Sequence, residues 1–320
     1  VLHSTGAHEV GHTLGLRHNF AGSSDALNYA PEYWALRDDG TMGPRTTDSI
    51  TDAEIDGRQR EYQYSTVMDY GNNFVVTDVH GLGHYDFAAI KMGYGDLAEV
   101  FTAATDPVEM GWVYFQQLFG WPGPITYDSF FDSNPIRTHH YTDLPAYAGG
   151  VAGLEQRADV PYASLRPEPT LESDDGIDLP LADASGRPVV PYRFCSDEIA
   201  DLSPECMLYD AGADDYESLS SIIDSYWHYY AFNSFRRERL GFGVDSYWDR
   251  VYWNYFSKLQ YANQSYVFNR AFLEEIVGDD PSMADFFERE DGFGVQTTSI
   301  AAAFQLLTRV ITAPEPGGYV

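Results

Sequence analysis

The stretch HEVGHTLGLRH, residues 8–18, decides how the chain around it folds. His8 and His12 are four residues apart, so on a helix they lie on one face, about one turn from each other. This spacing lets both imidazoles reach one metal ion. Glu9 follows the first histidine, where its carboxylate can take a proton from an attacking water and later deliver it to a leaving amine. The sequence therefore predicts a helix over residues 3–15 that carries two metal ligands and a general base.

A catalytic metal site built on two histidines needs a third protein ligand and an open position for water. Gly15 lies three residues after His12, and glycine tolerates the left-handed conformation that ends a helix and reverses the chain. His18 is then directed back toward the metal, whereas on a continued helix it would lie on the far side. We predict that His8, His12 and His18 are the ligands. Zinc suits three imidazoles, although other divalent ions do as well.

The pattern HExxHxxGxxH resembles the signature of the metzincin clan of zinc metalloproteases, which is paired with a methionine-containing Met-turn. The sequence STVMDY at residues 65–70 matches that second signature. The resemblance implies that Met68 packs beneath a zinc ion without binding it. It also implies that Tyr70 lies near the metal and stabilises the developing oxyanion. Asn19, directly after the third histidine, departs from the better-known subfamilies, so substrate specificity cannot be carried over.

A third match lies at residues 84–95, HYDFAAIKMGYG, which we predict to be a helix that Gly93 or Gly95 ends. YDFAAI resembles the start of the helix after the Met-turn in serralysin-like metzincins. The whole chain resembles the Met-zincin domain of large bacterial proteins, many of them exported; FCSDE at 194–198 and NSFRRER at 233–239 are weaker motifs of that resemblance.

This resemblance implies zinc-dependent hydrolysis of a peptide or protein substrate, outside the cell or in the cell envelope. A metzincin also has an upstream sheet that pairs with extended substrate. Since the predicted helix begins near residue 1, we expect that sheet to be absent here and to lie on another segment of the full-length protein, which is then a partner of this chain.

Two other functions remain open. The chain could be a binding or scaffold module whose metal is not catalytic, or a zinc hydrolase that acts on something other than a peptide, such as an amidase of cell-wall material. Glu9 argues against a purely structural metal site, because such a site has no use for a base.

The charge balance excludes one class of partner. The 320 residues carry 49 acidic and 19 basic side chains, a formal charge of −30, whereas nucleic-acid binding needs clustered Lys and Arg. No apolar run reaches the roughly 18 residues that a membrane helix needs. Calcium is a weaker candidate cofactor, and a solvated acidic loop explains the same composition. The carboxylates that could bind it are Asp174, Asp175 and Asp178, or Asp210, Asp214 and Asp215.

The two cysteines, Cys195 and Cys206, are eleven positions apart. They could close a disulfide in an oxidising compartment or remain two reduced thiols in a cytosolic protein.

We predict a mainly α-helical fold with long irregular loops and a few short strands. Residues 1–97 would form a metzincin-like catalytic core, in which residues 21–62 make a long surface loop with short helical pieces. Residues 98–215 would be a loop-rich acidic connection with a strand near 188–195, and residues 216–320 a helical region. There, helix-spaced aromatic stripes and a last helix over 297–310 predict a packed core.

Overall fold

The computed structural model describes the protein in several separate ranges. Within them the chain is mostly helical and has two short strands, in agreement with the predicted fold class. None of the described helices is long and apolar enough to cross a membrane. The described residues are 2–37, 50–71, 80–102, 153, 155–165, 183–185, 187, 189–190, 192–198, 200, 206–234, 243–277 and 295–312. The candidate calcium ligands Asp174, Asp175 and Asp178 and the residues 235–239 lie outside these ranges.

Two helices of the N-terminal part lie where the sequence predicts them. Helix α1 spans Leu2–Thr13. The HYDFAAIKMGYG segment forms a helix over its whole length, His84–Gly95, which we label α4. Short elements connect them. These are the 3₁₀ turns Gly22–Ser24, Ala26–Asn28 and Gln59–Tyr62 and the helices α2 (Pro31–Leu36) and α3 (Asp52–Asp56).

Over residues 21–37 the stretch that follows His18 is largely buried and is not a surface loop, so the prediction was wrong for that part. Tyr29, Tyr33 and Trp34 are buried, and the Arg37 side chain is fully buried and forms an ion pair with Glu217, with Nη1–Oε1 at 3.2 Å. Polar composition misled the prediction, because the buried polar groups here find partners inside the protein. The short helical pieces between residues 22 and 36 therefore belong to the core.

The two strands form one antiparallel pair, β1 (Leu97–Phe101) with β2 (Arg157–Pro161). The strand predicted near 188–195 is not formed over its described residues. Val189 makes a single antiparallel bridge to Val100, and the Val190 amide donates to the Glu99 carbonyl at 2.9 Å. The sequence has proline at 188 and 191, and proline has no backbone amide to donate to a strand partner.

The described residues after 214 are mostly helical, as predicted. Buried residues from all five of their helical elements, among them Leu219, Tyr226, Tyr255 and Leu306, form one apolar cluster. The spacing of Trp248, Val251, Tyr252, Tyr255 and Leu259 predicts one buried stripe, but Trp248 is 55% exposed whereas Val251, Tyr255 and Leu259 are buried. Trp248 instead stacks on Tyr252, with ring centroids 5.9 Å apart. The elements are α5 (Asp215–Ser234), α6 (Val244–Val251), the π turn Tyr252–Phe256, α7 (Ser257–Val277) and α8 (Val295–Thr312).

Contacts join the first two predicted regions. Strand β1 follows α4 directly, and residues near 195 pack against residues near 20. The predicted division into residues 1–97, 98–215 and 216–320 therefore remains a prediction.

The start of α4 fixes the turn at residues 65–70. Gly83 lies so close to the Ser65 backbone that an added Cβ would overlap the Ser65 carbonyl group. The Tyr85 amide donates to the Ser65 carbonyl at 2.9 Å, and the Asp86 carboxylate accepts from the Gly83 amide at 2.8 Å. This close approach requires a residue without a side chain.

We expect Gly83→Ala to lower the free energy of unfolding by about 2–3 kcal/mol, because the new methyl group meets backbone that cannot rotate away. Gly93→Ala is the matched control within the same element, since nothing lies within 4 Å of a Cβ there. That control should raise the free energy of unfolding by about 0.5–1 kcal/mol through helix propensity. Chemical unfolding followed by circular dichroism measures both, and equal effects of the two substitutions would contradict the proposed close contact.

Candidate metal centre

Helix α1 ends where the histidine motif requires it to end. Gly15 has φ +89, in the left-handed region, and the Leu16 amide donates back to the Gly11 carbonyl at 3.1 Å. This is the hydrogen-bond pattern of a glycine-terminated helix, and it turns the chain away from the helix axis. His18 is thereby returned to the helix face that carries His8 and His12.

The three histidines form a compact triangle. The ring centroids of His8 and His12 are 4.8 Å apart, those of His12 and His18 4.8 Å, and those of His8 and His18 5.3 Å. One nitrogen from each ring lies within 4.8 Å of the others. Among the described residues, these three form the group of side chains that could hold a metal ion.

Hydrogen bonds to the outer nitrogens orient all three rings. The Nδ1 of His8 lies 2.6 Å from the Val67 carbonyl oxygen, and that of His12 lies 2.9 Å from the Leu16 carbonyl oxygen. The Nδ1 of His18 lies 2.8 Å from Oδ1 of Asp197. Since carbonyl and carboxylate oxygens only accept, each Nδ1 carries the proton. The lone pair of each ring is therefore on Nε2, the nitrogen that faces the centre of the triangle.

This donor set fits a zinc ion. The Nε2 atoms of His12 and His18 are 3.2 Å apart. Two nitrogens bound to one tetrahedral ion at the usual length of about 2.0–2.1 Å are separated by about 3.3 Å. Burial lowers the pKa of His8, which favours the neutral ring that can bind a cation. Two nitrogen lone pairs that face each other at this distance repel, and a cation between them removes that repulsion.

The turn at residues 65–70 supports the triangle from below. Met68 is fully buried, and a Cβ added at Gly11 would overlap its sulfur atom, so the methionine lies directly against the helix that carries the histidines. The Asp86 carboxylate accepts from the Val67 amide at 3.0 Å and from the Thr66 hydroxyl at 2.5 Å. Burial raises the pKa of Asp86. These bonds hold the Val67 peptide group in place, so that its carbonyl oxygen can accept from the His8 ring.

Tyr70 and Glu9 are the two side chains for which we predicted catalytic roles. The Tyr70 hydroxyl lies 2.9 Å from Nε2 of His18, and since that nitrogen has the lone pair, the phenol donates. Burial raises the pKa of Tyr70, so the phenol keeps its proton. The Glu9 side chain is exposed beside the triangle and acts electrostatically on both His8 and Tyr70. The structure thus brings the five predicted residues together.

Asp197 is the residue of this site that sequence reasoning missed. It lies in FCSDE, which we had noted only as a weak motif, and no spacing rule connects it with a histidine 179 positions earlier. The hydrogen bond from His18 lowers the pKa of Asp197. The structure joins Cys195 and Cys206 in a disulfide, with their Cα atoms 5.9 Å apart, and this crosslink lies at the base of the segment that carries Asp197.

Asn19, the departure from the better-known subfamilies, also has a physical explanation. The buried Asn19 amide group donates to the Arg193 carbonyl at 2.9 Å and accepts from the Cys195 amide at 2.9 Å. Its backbone amide donates to the Met68 carbonyl at 3.0 Å. Asn19 therefore connects the turn, through its backbone, to the downstream segment, through its side chain, directly beside the third histidine.

The described calcium candidates do not form a cation site. Asp214 caps α5 by accepting from the Glu217 amide at 2.8 Å, and Asp215 is the first residue of that helix. Asp210 accepts from the Ser23 hydroxyl at 3.0 Å. Within the part of the chain that the structure describes, these carboxylates do not converge as metal ligands.

We expect the purified chain to bind about one zinc ion and His12→Ala to lose it, because two imidazoles do not complete a site of this type. Elemental analysis after dialysis measures the zinc content. His228→Ala, which removes a histidine of α5 outside the triangle, is the control and should retain the ion. Equal zinc content in the His12 and His228 variants would contradict the ligand set.

Comparison with known proteins bears on the first third of the chain. No curated protein and no solved structure significantly matches this chain. The profile of the Met-zincin family matches residues 1–110, which include the histidine motif, the turn at 65–70 and α4. This match supports a metzincin-type domain within residues 1–110 of the chain.

Proposed function

We propose that this chain carries the catalytic centre of a zinc-dependent endopeptidase. One observation carries the proposal: three imidazoles converge through Nε2, each with its Nδ1 proton committed to an oxygen acceptor. The match to the Met-zincin family supports the same class of chemistry. The exposed Glu9 lies on the same helix, one residue from the first ligand, where a purely structural metal site would need no carboxylate.

A bound zinc ion would be held by His8, His12 and His18 and would supply Lewis-acid activation of water and of the scissile carbonyl. Glu9 is the general base in this proposal. Its carboxylate takes a proton from the attacking water and passes it to the leaving amine as the peptide bond breaks. Its solvent exposure leaves room for a substrate to approach from that side.

Tyr70 would stabilise the oxyanion. In the structure its hydroxyl donates to the lone pair of His18, which is the lone pair that a metal ion would take. With that lone pair bound to a metal ion, the Tyr70 phenol would lose this acceptor, and its proton would be available to the carbonyl oxygen of a substrate as negative charge develops there. The rings of Phe20 and Tyr209, with centroids 5.3 and 5.9 Å from that of Tyr70, limit how far the phenol moves.

We propose a peptide or protein as the substrate and an extracellular or cell-envelope location. The Cys195–Cys206 disulfide supports this location, since such crosslinks persist in oxidising compartments.

Glu9→Gln should reduce the turnover of a peptide substrate by about 10²–10⁴-fold and leave zinc bound, because the amide keeps the shape of the side chain but cannot take a proton. Glu32→Gln, at an exposed glutamate of α2, is the matched control. Wild-type turnover in the Glu9 variant would exclude the proposed base. Analysis of products from protein and cell-wall glycan substrates separates a peptidase from another zinc hydrolase, and loss of both activities with zinc retained favours a scaffold role.

Tyr70→Phe should reduce kcat by about 10²–10³-fold, the usual effect of removing one oxyanion donor. Zinc affinity should not fall, because the variant lacks the hydroxyl that competes for the His18 lone pair. Steady-state kinetics and a zinc titration measure the two effects. Tyr209→Phe removes the hydroxyl of the stacked neighbour and serves as the control, and an unchanged kcat in the Tyr70 variant would assign the phenol to packing alone.

A further inference from the structure

We propose that Asp197 is a positioning residue of the metal centre, which orients His18 and thereby sets the affinity of the protein for zinc. The inference rests on the metal site proposed above. It places a functional residue outside residues 1–110, the part of the chain that matches the Met-zincin family.

The three histidines differ in how they are held. His8 and His12 belong to α1, and both donate to backbone carbonyls, of Val67 and Leu16. His18 lies beyond the helix, after the left-handed Gly15, and its Nδ1 partner is a side chain, the Asp197 carboxylate at 2.8 Å. Its ring therefore depends on Asp197 for an orientation that α1 gives to the other two. A carboxylate in this position also makes the imidazole a more basic ligand than a carbonyl does.

The segment that carries Asp197 is fixed to the residues around His18. The Phe20 amide donates to the Cys195 carbonyl at 2.7 Å. Asn19, the residue next to His18, makes two hydrogen bonds to this segment through its side-chain amide group. Cys195 is buried and joined to Cys206. Asp197 follows two residues later, so the carboxylate reaches His18 from an anchored base although its own side chain is 56% exposed.

The adjacent Glu198 offers a control within the same segment. It forms an ion pair with Arg17, but both side chains are more than half exposed, and such pairs contribute little to stability. The Glu198 carboxylate accepts hydrogen bonds from Arg17 and from the Ser196 hydroxyl, whereas the Asp197 carboxylate contacts His18. Removing its charge therefore changes the local charge by the same amount as Asp197→Asn without removing a partner of His18.

Competition with a chromophoric zinc chelator, on the full chain with its disulfide intact, tests the proposal. Asp197→Ala should raise the dissociation constant for zinc by about 10–100-fold. Asp197→Asn keeps an oxygen that accepts the Nδ1 proton, so it should lose less affinity than the alanine variant. Glu198→Gln should bind zinc as the wild type does. Thermal unfolding of the metal-free proteins should be the same for all four, since Asp197 is exposed.

The possible outcomes separate this inference from the proposed function. Equal zinc affinity in the wild type and Asp197→Ala would overturn the positioning role and leave the histidine site intact. A wild-type chain that binds no zinc would overturn both. Zinc binding that depends on Asp197, in a chain without peptidase activity, would support the positioning role and contradict the endopeptidase. A loss of affinity in Glu198→Gln as large as that in Asp197→Asn would assign the effect to net charge and overturn the role of the hydrogen bond.

Discussion

The hydrogen bond between the His8 imidazole and the Val67 carbonyl oxygen is the interaction on which the rest of the site depends. It connects α1 to the turn at residues 65–70 and at the same time determines which nitrogen of His8 faces the other histidines. The carbonyl is in place because the Asp86 carboxylate holds the Val67 amide from the other side. The start of α4, the turn and the first ligand therefore form one continuous chain of hydrogen bonds. Because Met68 fills the space under Gly11, this chain of bonds is also packed against the helix and cannot shift independently.

The sequence predicted the local parts of this arrangement well. The four-residue spacing of His8 and His12 and the helix stop at Gly15 follow from helix geometry and from the backbone freedom of glycine, and both depend on residues within one or two turns. Helix α4 carried the same kind of local signal. These features need no knowledge of the distant chain, so a motif of eleven residues was sufficient to predict that the three histidines lie together.

What the sequence did not reveal depends on contacts between distant segments. In the sequence, Asp197 is one acidic residue among many. Its contact with His18 arises only because a disulfide-anchored segment packs against the residues near that histidine. The burial of Tyr33 and Arg37 was hidden for a similar reason: a polar-looking stretch becomes core when Glu217, far along the chain, supplies the matching charge. The strand predicted near 188–195 is not formed over its described residues. Composition describes a segment by itself, whereas these outcomes depend on which partner the fold brings to it.

The separation of 179 residues between His18 and Asp197 has a consequence for how the protein is made. Chains emerge from the ribosome from the N-terminus, and early segments begin to fold before later ones exist. The helix with His8 and His12 can form at once, but the third ligand acquires its partner only after the chain has been synthesised past residue 197, and the crosslink to Cys206 forms later still. Until residue 197 has been synthesised, the histidine triangle therefore lacks the carboxylate that contacts its third ring.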